Sequence, residues 1–323
     1  MKVVIPGGSG QVGTVLVRAL QGDGHEVVVL SRASTKASRG MVTWDATTIG
    51  PWVKEIDGAD VVINLAGRSV NCRYTPRNRE AIRQSRVRST RIVGEAIAAA
   101  RRPPRVWLQA STATIYAHRY DEPNDEATGI LGGGEPGAPD TWRFSIDVAS
   151  SWERELDNAI VPHTRKVKLR SAMTMSTDRG GIFDTLLTLV RRRLGGQAGD
   201  GRQYVSWVHE VDFVRAIYWL IDHHEVEGPV NVAAPNPLPN AAFMRGLRNA
   251  WGVSLGLPAT KWMLEIGAVF LRTETELILK SRRVIPGVLG ARGFTFQFPR
   301  WPEAAEDLCR RWREQNDRAR RAA

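Results

Sequence analysis

A glycine-rich turn that follows an apolar segment constrains the fold of this chain more than any other feature. Residues 3–13 are Val-Val-Ile-Pro-Gly-Gly-Ser-Gly-Gln-Val-Gly, and an amphipathic segment, residues 14–20, follows them. The pattern predicts a strand, a turn and a helix, with G-x-G-x-x-G spacing at Gly8, Gly10 and Gly13. We expect Gly8 to allow a tight turn, Gly10 to let a pyrophosphate approach, and Gly13 to let helix and strand pack closely.

This turn predicts a dinucleotide site, because the N–H groups and dipole at a helix N-terminus favour phosphate binding. No Gly-Lys-Ser/Thr follows the turn, which argues against a nucleoside triphosphate loop. The alternative is a glycine-rich turn of an α/β protein that binds no ligand. The predicted cofactor-binding residues of the turn are Gly7, Gly8, Ser9, Gly10, Gln11, Val12 and Gly13.

The end of the second predicted strand indicates which dinucleotide binds. Residues 26–30 form a β-type run that ends at Ser31-Arg32. An NAD site favours Asp or Glu here for the ribose 2′-hydroxyl, whereas a guanidinium can bind a 2′-phosphate through two hydrogen bonds. Ser31 and Arg32 therefore favour NADP(H) over NAD, unless Arg32 is only a solvated loop charge. Further candidates for the same phosphate site are Ser34, Lys36 and Arg39.

Composition limits the possible partners. The formal net charge is +11, but the basic residues are spread along the chain and no nucleic-acid motif accompanies them, so we expect no nucleic-acid partner. The two cysteines, Cys72 and Cys309, lie far apart, which argues against a disulfide framework and a zinc site. No apolar run is long enough to span a bilayer, and Met1 leads directly into the first strand. We therefore expect a cytoplasmic protein without a metal or a membrane partner. Its oligomeric state stays open.

Strands and helices alternate in the first half of the chain, which predicts an α/β fold with a doubly wound parallel sheet of the Rossmann type. Ligands of such sheets bind beyond the carboxyl ends of the strands. Several polar or glycine-containing segments are predicted to meet there. The further cofactor-binding residues predicted at this edge are Asp45, Asn64, Leu65, Ala66, Gly67 and Ser111.

The pattern of elements changes after residue 172, where helices and short strands mix and Gly/Pro breaks become frequent. We predict a cofactor-binding domain over residues 1–172 and a smaller mixed C-terminal lobe over residues 173–323. Some segments of that lobe are expected to return to the main sheet. A polar Gly/Pro-rich loop, residues 121–140, is the natural place for a mobile cover over a site.

Together these residues resemble the extended short-chain dehydrogenase/reductase superfamily over essentially the whole chain. The turn, Asn64-Leu65-Ala66-Gly67 and the segment from Ser111 to Tyr116 are similar to its nucleotide turn, strand-four motif and Ser-Ser/Thr-x-x-Val-Tyr segment. Residues 201–212 and 231–237 carry the likeness further. Within the superfamily the chain most resembles an atypical epimerase/dehydratase-like branch that has a C-terminal domain of unknown function. The resemblance implies an NADP-binding oxidoreductase or epimerase.

One departure from the superfamily concerns the chemistry. Its acid/base pair is Tyr-x-x-x-Lys on the helix after the Ser/Thr strand, and none of the five tyrosines here has Lys four residues later. Thr112 corresponds to the hydroxyl that polarises the substrate oxygen in the family, and Tyr116 is the best remaining proton donor. Tyr116 and the alternative donor His118 could both be structural. Arg86, on the long helix predicted over residues 76–100, is a further predicted cofactor-binding residue, whose guanidinium could bind an anion of the cofactor or of the substrate.

Three functions follow from these observations. The first is an NADP(H)-dependent oxidoreductase that acts on a small carbonyl or hydroxyl substrate through Thr112 and Tyr116. The second is a nucleotide-sugar epimerase or dehydratase, although the missing Tyr/Lys pair counts against it. The third is an NADP(H)-binding regulator or scaffold without catalysis.

Overall fold

A computed structural model describes residues 1–32, 40–260 and 276–321 of the chain. Its strands are β1 (Lys2–Pro6), β2 (Glu26–Ser31), β3 (Met41–Thr43), β4 (Val61–Asn64), β5 (Val106–Thr112), β6 (Arg165–Ser171), β7 (Met173–Met175), β8 (Tyr204–Val205), β9 (Trp207–His209), β10 (Gly228–Val232) and β11 (Leu238–Pro239). Its helices are α1 (Gln11–Gly22), α2 (Pro76–Ala99), α3 (Asp140–Asn158), α4 (Ile182–Arg191), α5 (Glu210–Asp222), α6 (Asn240–Trp251), α7 (Glu276–Leu279), α8 (Gly287–Ala291) and α9 (Trp301–Arg321), with 3-10 helices at Pro51–Glu55 and Ala113–Ile115.

Seven strands form one parallel sheet in the order β10-β6-β5-β4-β1-β2-β3. The order reverses between β1 and β4, so helices cover both faces, and the predicted doubly wound α/β fold is confirmed. The register pairs Val3 with both Val27 and Val61, and pairs Asn64 with Gln109. The carboxyl ends of β1, β2, β4 and β5 therefore meet at one edge of the sheet.

The apolar character of the central strands explains why they are buried. Val3, Val4 and Ile5 of β1 are all 0% exposed, as are the three apolar residues of β4. Continuous apolar runs are typical of parallel strands covered on both faces. On one face, Val4, Val62 and Trp107 pack in a cluster with residues of α2.

Two glycines make the first turn possible. Gly7 has a φ of 77°, and a Cβ there would lie 2.7 Å from the backbone of Ala66. A Cβ on Gly13 would lie 2.4 Å from the carbonyl oxygen of Gly8. The left-handed residue of the turn is therefore Gly7, whereas the sequence predicts the tight turn at Gly8. Gly13 packs closely against Gly8 of the turn, whereas the sequence predicts close packing of the helix against the strand.

The described chain divides into two compact units. The first unit consists of Met1–Ile115, Pro139–Ser171 and Val214–Val230. The second unit consists of Tyr116–Ala138, Ala172–Phe213 and Asn231–Ala323. The assignment of residues 1–172 and 173–323 to a cofactor-binding domain and a substrate lobe stays a prediction.

The second unit has its own small sheets and core. β7 pairs with β9 in parallel, and β8 pairs with β11 antiparallel. Trp207, Phe243 and Trp301 are buried together, and the rings of Phe243 and Trp301 stack with centroids 4.0 Å apart. Such aromatic contacts contribute large buried areas to this core. Of the helices that the structure describes, none is long and apolar enough to cross a membrane.

Candidate dinucleotide-binding site

A pocket of about 250 Å³ lies at the carboxyl ends of β1, β2 and β4. The sequence-predicted residues that line it are Gly7, Ser9, Gly10, Ser31, Arg32, Leu65, Ala66 and Gly67. The position is the one at which open α/β sheets bind their ligands, beside the point where the strand order reverses. Three separate segments of the chain thus contribute predicted residues to one cavity.

The pocket also contains residues that the sequence did not single out. These are Leu30, Trp44, Ala46 and Ser85. Leu30 and Trp44 are buried apolar residues that a pattern assigns to the core, and no signal in the sequence shows that they also face a cavity. Ser85 lies on α2 directly before Arg86, and its position could be found only from the packing of that helix.

Gly10 differs from Gly7 and Gly13, because the fold itself does not require a glycine at this position. Gly10 has an ordinary extended conformation, with φ −78° and ψ 172°. A Cβ on Gly10 would meet only the carbonyl oxygen of Gly7, at an ordinary 3.5 Å, and Gly10 lines the pocket. Steric crowding within the protein therefore requires glycine at positions 7 and 13, but not at position 10.

The start of α1 completes this cradle. Gly10 is the N-cap of α1 and supplies no side-chain hydrogen bond, and no acidic residue lies in the first turn of this fully described helix. The positive end of the helix dipole is therefore not neutralised by a nearby carboxylate of its own first turn. Gln11, Val12 and Gly13 form that turn. Gly8 packs against Gly13 and does not line the pocket.

Hydroxyl groups and a cation lie at the end of β2. The hydroxyl oxygens of Ser9 and Ser31 are 3.2 Å apart, and Arg32 lies in the pocket wall with its residue exposed to solvent. Within the part of the chain that the structure describes, no carboxylate pairs with Arg32. This end of the pocket is therefore polar and positively charged. The other predicted phosphate contacts, Ser34, Lys36 and Arg39, lie outside the described residues.

Asp45 is not among the residues that line the pocket. Its carboxylate accepts the N–H groups of Thr47 and Thr48, both at 2.8 Å, and the hydroxyl of Thr48 at 2.6 Å. The Thr48 hydroxyl and then these N–H groups hold the pKa of Asp45 well below its usual range. The carboxylate thus stabilises the turn that presents its neighbours Trp44 and Ala46 to the pocket.

Asn64 shapes the pocket without lining it. Its side chain is 0% exposed, donates to Oε1 of Gln109 at 3.0 Å, and accepts the N–H of Ala66 at 3.1 Å. These bonds fix the chain where it leaves β4, so that Leu65, Ala66 and Gly67 face the cavity. A buried amide with both ends satisfied is a positioning group.

At the end of β5, Ser111 takes part in a buried network. Its hydroxyl donates to Oε1 of Glu153 on α3 at 2.6 Å, and Arg170 of β6 donates to both carboxylate oxygens of Glu153 at 2.8 Å. The side chains of Glu153 and Arg170 are each 8% exposed. The network connects β5, β6 and α3. Their separation in sequence hides this pairing from sequence analysis.

The two predicted catalytic residues have different surroundings. Oγ1 of Thr112 accepts the N–H of Thr114 at 3.1 Å, so its own proton remains available, and Thr112 is only partly buried. Tyr116, in the second unit, is 2% exposed and donates its phenol proton to Oδ1 of Asn231 at 3.0 Å. Neither residue lines the pocket at the carboxyl ends of β1, β2 and β4. Their catalytic roles stay predictions.

The helix that carries the superfamily's acid/base pair has neither a tyrosine nor a lysine here. α3 instead directs Phe144 and Val148 into an apolar cluster with Ile82 and Tyr74, and the rings of Tyr74 and Phe144 meet edge to face with centroids 4.9 Å apart. Among the described residues, no group of three or more His, Cys, Asp or Glu side chains could hold a metal ion.

A doubly wound sheet of this order, with a glycine turn and a pocket at its carboxyl edge, defines a dinucleotide-binding protein of the short-chain dehydrogenase/reductase type. The profile of the NAD dependent epimerase/dehydratase family matches residues 3–133, and that of a domain of unknown function, DUF1731, matches residues 259–308. An epimerase family protein of Staphylococcus epidermidis is 30% identical over 311 residues, which cover 96% of this chain and 99% of that protein. The chain belongs to the NAD-dependent epimerase/dehydratase family, and the predicted resemblance is confirmed.

Solved structures agree with this assignment. The human epimerase family protein SDR39U1, crystallised with NADPH, matches with a TM-score of 0.82 and 28% identity, over 96% of this chain and 99% of that one. A nucleoside-diphosphate sugar epimerase from Corynebacterium glutamicum matches with a TM-score of 0.74 and 29% identity, over 95% of this chain and 58% of that one.

Proposed function

We propose that the protein is an NADP(H)-dependent oxidoreductase that acts on a small carbonyl or hydroxyl substrate. The observation that carries the proposal is the pocket at the ends of β1, β2 and β4, in which Gly10 leaves room for a pyrophosphate while Ser31 and Arg32 supply hydroxyl and positive groups. The NADPH bound to the human relative SDR39U1 supports a phosphorylated dinucleotide.

Each part of the pocket has a role in holding the cofactor. The first turn of α1 faces the pyrophosphate, because its dipole favours an anion. Arg32 would hold the 2′-phosphate, and the hydroxyls of Ser9 and Ser31 would add polar groups at the same end of the pocket, where an NAD site favours a carboxylate. Trp44 and Leu65 provide apolar walls. When bound, the cofactor supplies or accepts a hydride.

The protein must place the substrate oxygen and supply a proton. Thr112 has an available hydroxyl proton, because its oxygen already accepts the N–H of Thr114, and it donates this proton as a hydrogen bond to the substrate oxygen. Ser111, bonded to Glu153, keeps the end of β5 in place. Tyr116 remains the predicted proton donor. It must exchange its bond to Asn231 to act, so its contribution needs a separate test.

The test is NADPH oxidation, followed at 340 nm, with a panel of small aldehydes and ketones. Thr112→Val removes the hydroxyl and keeps the branched shape, and we expect kcat/KM to fall about 100-fold or more, with NADPH affinity unchanged. Thr114→Val is the matched control and should retain activity. Tyr116→Phe should lose turnover if the phenol supplies the proton. Full activity of Thr112→Val would remove Thr112 from the mechanism, and full activity of Tyr116→Phe would remove Tyr116.

The nucleotide-sugar epimerase or dehydratase is the second candidate, and the match to the Corynebacterium glutamicum epimerase favours it. This reaction needs a base after a transient oxidation, and α3 has no Tyr-x-x-x-Lys pair to provide it. Binding of a nucleotide sugar in a thermal-shift panel would support this candidate. Tight NADPH binding without turnover of any panel member would instead support the regulator or scaffold.

A further inference from the structure

The guanidinium of Arg86 lies beside the cofactor pocket and is held there by backbone groups. Its Nη1 donates to the carbonyl oxygens of Arg68 at 3.0 Å and Ile82 at 3.1 Å. Its Cζ lies 5.0 Å from the ring centroid of Trp152. One nitrogen is therefore fixed by two carbonyl groups, and the indole supports the flat face of the guanidinium through a cation–π contact.

Arg86 has no acidic partner among the described residues. Burial lowers its pKa to about 10, and the nearby Tyr74 partly opposes this shift, so the side chain stays cationic at neutral pH. A partly buried cation is stabilised best by a carboxylate or a phosphate, which accepts two parallel hydrogen bonds from a guanidinium. Carbonyl oxygens and an indole offset only part of the lost hydration. The site thus lacks one negative charge.

The guanidinium of Arg86 lies next to a residue that lines the pocket. A Cβ on Gly67 would lie 3.2 Å from Cζ of Arg86 and 3.5 Å from its Nε. Gly67 and Ser85, the residue that precedes Arg86, both line the pocket, although Arg86 itself is not part of the lining. A side chain at position 67 would press against the guanidinium, so glycine there allows Arg86 to lie close to the cavity wall.

The position of Arg86 also relates to the predicted substrate site. β4 and β5 are neighbours, and their register pairs Asn64 with Gln109. β4 ends at Asn64, three residues before Gly67, and Thr112 is the last residue of β5, so both lie at or just beyond the carboxyl ends of adjacent strands. Arg86, which lies beside Gly67, is therefore on the β4 side of the edge at which β5 ends with Thr112.

We propose that Arg86 binds an anionic group of the substrate, a carboxylate or a phosphate, so that the substrate's carbonyl oxygen meets Thr112. This inference rests on the proposed oxidoreductase function and adds a substrate class to it, namely small carbonyl compounds that carry an acid group. In this role Arg86 binds the substrate, whereas the sequence predicts a cofactor-binding residue at this position.

The experiment first measures anion binding without any turnover. Oxalate and inorganic phosphate are titrated calorimetrically into protein saturated with NADP⁺, for the wild type, Arg86→Gln, Arg86→Lys and the control Arg88→Gln. Arg88 lies on the same helix, is exposed, and donates a hydrogen bond to Oε1 of Gln84. We expect Arg86→Gln to weaken anion binding at least about tenfold, Arg86→Lys to restore part of it, and Arg88→Gln to match the wild type.

Turnover then compares paired substrates. Succinate semialdehyde is compared with butanal, and glyceraldehyde 3-phosphate with glyceraldehyde, so the two pairs distinguish a carboxylate from a phosphate. The wild type should prefer the anionic member of one pair, and Arg86→Gln should lose that preference mainly through KM. Equal use of both members of each pair by the wild type would overturn the inference.

The other outcomes are equally decisive. If Arg86→Gln weakens NADP⁺ binding tenfold or more, Arg86 is a cofactor ligand and the inference is wrong. If neither anion binds the wild type, or both bind Arg86→Gln as well, the anion site does not exist. If the anions bind through Arg86 but no aldehyde is reduced, the oxidoreductase function fails while the anion site stands. Should Arg86→Gln not fold, Arg86→Lys carries the same comparison, because it keeps the charge and loses the paired hydrogen bonds.

Discussion

Replacing Gly10 by alanine should separate cofactor binding from folding. The φ of −78° at Gly10 suits alanine, and the new Cβ would meet only one protein atom, at 3.5 Å. Alanine restricts the unfolded chain, which stabilises by about 0.4–1 kcal/mol, but it is a poorer N-cap than glycine by a similar amount. These effects oppose each other, so the free energy of unfolding should stay within about 1 kcal/mol of the wild type. The melting temperature should therefore change by at most roughly 2–4 °C.

The same methyl group would lie in the space assigned to the pyrophosphate. Moving the pyrophosphate away from the turn would break one or more charge-assisted hydrogen bonds, each worth about 1.5–3 kcal/mol. The dissociation constant of NADPH should therefore rise at least about tenfold. Fluorescence titration with NADPH measures the affinity, and differential scanning calorimetry measures the stability.

Gly13→Ala is the matched comparison for stability. Its Cβ would lie 2.4 Å from a backbone oxygen, so the turn must shift, and overpacking of this kind costs about 1–3 kcal/mol. We expect a clearly lower melting temperature for Gly13→Ala and a nearly unchanged one for Gly10→Ala. Unaltered NADPH binding by a folded Gly10→Ala protein would refute the reasoning that the pocket beside Gly10 holds the pyrophosphate.

Two further predictions concern stability. Glu153→Leu leaves Arg170 buried without its carboxylate and should destabilise the fold by about 3–5 kcal/mol. The double variant Glu153→Leu with Arg170→Met should recover most of this loss. Chemical denaturation measures both, and additive effects of the two substitutions would contradict the prediction. Burial holds the pKa of His209 below its usual 6.5 despite Asp307 at 3.2 Å, so the unfolded chain takes up the proton first. The free energy of unfolding should therefore fall as the pH drops below 6.5, by up to about 1.4 kcal/mol per pH unit. His209→Gln should flatten this slope. Melting temperatures measured between pH 5 and 8 for both proteins would test the prediction.

The parts of the site that depend on local chain geometry could be predicted from the sequence. The glycine spacing predicts the turn, and apolar runs followed by polar residues predict the edge at which Ser31, Arg32 and residues 65–67 meet. Such features follow from strand and helix periodicity, which a single sequence records. The parallel arrangement of the strands then places the ends of these segments at the same edge of the sheet.

The roles that depend on long-range partners could not be predicted. Asp45 lies next to two pocket residues, yet its carboxylate bonds to the turn that follows it. Glu153 looks like a surface residue of an amphipathic helix, but Arg170 and Ser111 enclose it. Tyr116 matches a family motif, while the side-chain oxygen of Asn231, far along the chain, accepts the hydrogen bond from its phenol. In each case the partner, rather than the residue type, decides the role.

The most direct test of the central claim is a titration of the wild type and of Arg32→Asp with NADPH, NADP⁺, NADH and NAD⁺. The pocket residues predict that the wild type binds the 2′-phosphorylated forms at least about tenfold more tightly, since a guanidinium–phosphate bond is worth about 1.5–3 kcal/mol. Arg32→Asp should lose this preference while it keeps or gains affinity for NADH. Equal binding of all four dinucleotides, or binding of none, would contradict the account.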